Sequence, residues 1–83
     1  MLDEILERYQ DEELLKADGF DEAIIGVSED FNAPVRLVYS VSKCLRILEK
    51  DMSHEDALEH FNFNVSGGYV GEKTPLWVWD DFE

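Results

Sequence analysis

Residues 52–79 read MSHEDALEHFNFNVSGGYVGEKTPLWVW: a capped helix, a glycine-rich turn and an aromatic strand. Ser53 stands three residues before Asp56, a capping-box spacing with Asp in place of the usual Glu. Ala57, Leu58, Phe61 and Val65 then fall on one side, which gives the helix a face to bury. Ser66-Gly67-Gly68 ends it, Gly71 permits another turn, and Pro75 excludes a helix beyond. Leu76-Trp77-Val78-Trp79 is the last strand, with both tryptophans on one face and Leu76 and Val78 on the other. Both faces are apolar, so this strand is either central and covered or half of an interface.

The preceding residues supply what that unit packs against. Val41–Lys50 reads as a helix capped by Ser40 or Ser42. Its stripe is Val41, Cys44, Ile47 and Leu48, while Lys43, Arg46 and Lys50 face water. Ala23–Ser28 and Val35–Ser40 are β-branched runs joined through a longer loop, a hairpin. Val35, Leu37 and Tyr39 share its more buried face, opposite Arg36 and Val38. Gly26 inside the first run marks a bulge or a close neighbour. Leu2, Ile5, Leu6 and Tyr9 lie at helical spacing. They open a first helix expected to reach Ala17, with a break allowed near Asp11, and Asp18-Gly19 stops it. The expected fold is α+β: a single small domain over residues 1–83, in the order α-β-β-α-α-β. It has a small, mostly antiparallel sheet with helices packed on one face, an acidic N-terminal helix at 1–17 and an acidic tail at 80–83.

A chain of 83 residues has room for one core, and the apolar 45% and aromatic 12% suit a folded domain. The net charge of −13 is what sets it apart. Eleven acids against Arg8 and Lys16 give residues 1–30 a net of −9. Arg36, Lys43, Arg46 and Lys50 against Glu49 give residues 31–50 a net of +3. Eight acids against Lys73 give residues 51–83 a net of −7. Self-repulsion at that charge makes folding salt-sensitive. It also disfavours direct binding of nucleic acid, which needs clustered Lys and Arg to neutralise phosphates. No run approaches the ~20 apolar residues of a membrane span, so no membrane association and a cytoplasmic location are expected.

The motifs argue against catalysis. Ser66–Thr74 resembles a phosphate loop only loosely, because Glu72 separates Gly71 from Lys73 and Pro75 stands where a helix should begin. His54 and His60 lie about 240° apart around a helix and cannot share a metal unaided, although Asp56 is one turn from His60. Asp18-Gly19-Phe20-Asp21 lacks the alternating carboxylates of a calcium loop. Cys44, the single cysteine, excludes an internal disulfide and sits in an apolar register. No enzymatic activity, cofactor or metal is expected.

Several segments resemble a family of small proteins frequent in bacteriophage genomes and prophage-rich bacterial DNA. They are Leu14-Leu15, Ala17–Val27, Val38-Tyr39, Lys43-Cys44, Ile47-Leu48, Met52-Ser53, Asp56-Ala57, Phe61–Val65, Gly68–Glu72 and Thr74-Pro75. The likeness spans roughly residues 14–76, and its most specific part is the run FNFNV…GYVGEKTP. That family has no established activity, so the resemblance implies a phage-type accessory protein and transfers no functional residue. Its members tend to carry aspartates at the positions of Ser40 and Ser42, and an aliphatic or phenylalanine strand in place of LWVWDDFE. The aromatic-acidic end is therefore a candidate contact surface. The expected function is binding of a host protein with a basic surface, in its sharpest form as a DNA-mimicking inhibitor. The expected contacts are Asp3, Glu4, Glu7, Asp11 and Glu12 on the first helix, with Trp77, Trp79, Asp80 and Asp81 at the end of the chain. The alternative is a structural or homodimeric protein joined through the aromatic strand.

Overall fold

A computed structural model describes residues 1–30, 34–65, 71 and 73–82. The expected Ser66-Gly67-Gly68 stop, most of the glycine-rich turn, Phe31–Ala33 and Glu83 lie outside those residues. The elements run α1 (Leu2–Arg8), a 3-10 turn (Asp21–Ala23), β1 (Ile24–Ser28), β2 (Arg36–Ser40), α2 (Val41–Leu48), α3 (His54–His60), a π-helical turn (Phe61–Val65) and β3 (Leu76–Val78). The fold is α+β, in the order expected. β2 is the central strand, antiparallel to β1 and parallel to β3. A parallel neighbour requires a crossover, and α2 and α3 lie in it.

The core forms where apolar faces of all these elements meet. Leu37 and Tyr39 on β2 are fully buried, while Arg36 and Val38 on the other face are half-buried. Ile5 of α1, Val41, Cys44 and Leu45 of α2, and Ala57 and Phe61 at the end of α3 close on the Leu37/Tyr39 side. Both expected helix starts hold. Ser40 Oγ accepts from the Lys43 N–H at 3.2 Å, and Ser53 Oγ accepts from the Asp56 N–H at 3.2 Å. Each removes one of the unpaired donors that a helix start leaves.

The first helix is shorter than its apolar spacing suggests. It stops at Arg8, and Asp11 and Glu12 fall in the turn beyond it rather than on a helical face. In a helix continued past Arg8, Glu7 and Asp11 would stand four residues apart as like charges on one face, an unfavourable placement. Leu14 and Ala17 still reach the core without helical structure. The Tyr39 hydroxyl, 22 residues away, accepts the Ala17 N–H at 2.9 Å. Gly19 therefore caps no helix. It has φ 88° in a turn closed by the Phe20 N–H on the Ala17 carbonyl at 3.2 Å.

The β1/β2 register slips between Ile24 and Gly26, so the expected bulge is present with Ile25 as its extra residue. Apart from its chain neighbours, no heavy atom of the described residues lies within 4 Å of where a Cβ on Gly26 would stand, so among them the glycine answers no close neighbour. The two glycines should respond oppositely to alanine. Gly19→Ala forces a side chain into left-handed backbone and is expected to cost about 1–3 kcal/mol. Gly26→Ala is expected to be neutral or to gain about 0.4–1 kcal/mol by restricting the unfolded chain. Urea titrations of the two variants measure both signs.

Candidate functional site

Charge is the chemistry this surface presents. Every acid among the described residues, meaning all twenty except Glu72 and Glu83, is exposed. Between described residues, two ion pairs form: Lys16 with Asp21 at 3.6 Å, and His54 with Glu49 at 3.2 Å. The second requires a protonated imidazole. On α1, Ile5 turns inward and Asp3, Glu4 and Glu7 lie outward. Asp11 and Glu12 are exposed in the turn that follows, so the acids from Asp3 to Glu12 form a band along the chain.

The tail is more constrained than its composition suggests. Ser40 Oγ donates to Asp80 Oδ1 at 2.5 Å, and Ser42 Oγ lies 3.2 Å from the same oxygen. These bonds, from Ser40 first and Ser42 after, hold the Asp80 carboxyl below its ordinary value. The fastening accordingly persists through the neutral range and loosens only as the pH falls through that lowered value. Asp80 thus closes the end of β3 onto the start of α2, and Asp81 is left outward.

The two tryptophans have different surroundings. Trp77 pairs with Tyr39 across the sheet and so turns to the core side. Its ring lies 4.9 Å from that of Tyr39 and 5.4 Å, edge-on at 89°, from that of Phe61. Both are favourable aromatic distances. Its indole Nε1 is buried with no hydrogen-bond partner among the described residues, as is Arg36 Nε. Trp79, past the strand's end, is 48% exposed, and Phe82 is 81% exposed. Of the two expected contacts, Trp79 is presented outward and Trp77 is packed.

Cys44 is fully buried, and burial pushes its thiol up to about 12. At pH 8 roughly one thiol in ten thousand would then be ionised. Ellman's reagent is expected to leave the native protein untouched and to titrate one thiol at once in denaturant; fast reaction of native protein would show an open site. The His60 ring meets the Asn64 amide at 3.4 Å rather than Asp56. Among the described residues no three His, Cys, Asp or Glu side chains gather closely enough to hold a metal. Nor is any described helix long and apolar enough to cross a membrane.

Sequence reasoning missed a groove of about 560 Å³ on α3 and the turn after it, lined by Met52, Asp56, Glu59, His60, Phe63 and Asn64. The signal lay in the sequence: Phe63 falls roughly opposite Phe61 on a helical wheel, a large ring turned to water. Comparison of the chain with protein-family models, with curated proteins and with solved structures finds no match.

Proposed function

We propose that this is a non-enzymatic acidic accessory protein of the cytoplasm that binds a host protein through a basic surface of that partner. The observation that carries the reading is that all the described acids are exposed, with Lys16–Asp21 and His54–Glu49 the ion pairs formed between described residues. A surface held at this charge costs the fold self-repulsion, and it strengthens steering toward a positive counterpart. The band from Asp3 to Glu12 and the end of the chain at Trp79 and Asp81 are the surfaces offered.

In its sharpest form the protein occupies a nucleic-acid-binding groove as a decoy. Its longest dimension is 39 Å. Duplex DNA of that length carries about 23 phosphate charges at one per ~1.7 Å. The protein's −13 is a little over half of that, so mimicry would have to concentrate the charge on one side. Affinity capture from host lysate over a salt series tests the reading. A partner lost as salt rises supports it, and a partner indifferent to salt removes the charge-driven form.

A second reading, a homodimer, is favoured by one feature. β3 is an edge strand, no described strand covers its outer side, and exposed Trp79 follows it. Two copies at −13 repel, which weighs against it. Light scattering at high concentration and high salt decides: a monomer there ends the idea.

A further inference from the structure

We propose that the groove on α3 is a receptor site for an arginine side chain of the partner. The inference rests on the reading of the acidic surface as a docking surface and names what one part of it would hold. Asp56, Glu59, His60 and Phe63 recur at i, i+3, i+4 and i+7 and are all exposed. Ala57 and Phe61 turn to the core from the same segment. The stripe therefore combines two carboxylates, a ring and, from Met52 at its edge, a thioether around one groove. Phe63 is 77% exposed, against 2% for Phe61 two residues before it. Asp56 and Glu59 have no cation within 4 Å among the described residues.

The occupant follows from that combination. A planar guanidinium can stack on the Phe63 face while its fork of N–H donors meets a carboxylate, and it sheds water more readily than an ammonium. Met52 offers an apolar surface for the methylene stem. Among the described residues Asp56, Glu59 and His60 do not gather closely enough to hold a metal, and a purely apolar ligand would desolvate both carboxylates without compensation. The groove thus selects arginine over lysine.

The test is a titration of the ¹⁵N-labelled full chain with N-acetyl-arginine amide, and separately with its lysine counterpart, followed by NMR. Saturable shifts confined to residues 52–64, larger for arginine, are expected. Phe63→Ala, at an exposed position that leaves folding intact, is expected to weaken them about two- to fivefold. Asp56→Asn with Glu59→Gln should erase the preference for arginine. Shifts spread over α1 and the tail in proportion to charge, and unchanged by Phe63→Ala, overturn the groove alone and leave the acidic docking surface standing. Arginine seated in the groove by a protein that captures no partner from lysate would instead overturn the broader reading alone.

Discussion

Trp77→Ala is expected to destabilise the protein by about 3–5 kcal/mol, the usual cost of emptying a large aromatic site. For a chain of this size total stability is only about 4–12 kcal/mol, so the variant should be largely unfolded at moderate temperature. The indole touches both the central strand and the end of α3, through Tyr39 and Phe61. Removing it opens the seam between β3 and the helices. Trp77→Phe keeps a ring in that seam and deletes an indole N–H that is buried without a partner among the described residues. An unpaired buried donor costs about 1–3 kcal/mol, so phenylalanine should recover much of the loss. Trp79→Ala, beyond the strand and 48% exposed, should stay within about 0.5 kcal/mol of the parent. Urea melts of the three variants give the ranking. Equal costs at positions 77 and 79 would contradict the assignment of Trp77 to the core and Trp79 to the surface.

That division could not be drawn from alternation, which places both tryptophans on one face. Residue spacing does not say where a strand ends, and here it ends one residue before Trp79. The same limit explains what else was legible. The caps at Ser40 and Ser53, the alternation in β2 and the bulge at Gly26 are governed by residues within a few positions of each other, and all were readable. The short first helix was only half readable. Its apolar spacing runs on past Arg8, but the like charges of Glu7 and Asp11 work against the helix locally and Tyr39 captures the Ala17 N–H from 22 residues away. The parallel pairing of β3 and the bond from Ser40 to Asp80 join residues about 40 apart. Such contacts depend on how the crossover closes, which no local pattern encodes. For the candidate site, the amount of charge was plain in the sequence. Which acids are engaged by the protein's own hydroxyls was not, and Asp80 shows why: composition made it a contact, and two serine hydroxyls make it a fastening.

Neutralising Asp3, Glu4, Glu7, Asp11 and Glu12 to their amides is expected to weaken partner capture by tenfold or more at low salt and to flatten its salt dependence. The change takes the net charge from −13 to −8. Single exposed ion pairs contribute little, but five in one band act together through the field they set up, and that field governs encounter. The effects on folding should split by position. Asp3 and Glu4 sit in the first turn of α1, where negative charge favours the helix, so their amides should loosen it. Glu7, Asp11 and Glu12 lie in its last turn or beyond, where negative charge opposes it, so neutralising those three should raise the melting temperature. The three-residue variant therefore separates function from fold, because it should be more stable and yet bind less. Stability read by thermal melts and capture read over a salt series measure the two independently. Undiminished capture by that stabler variant would show that the charge on this band serves solubility rather than recognition.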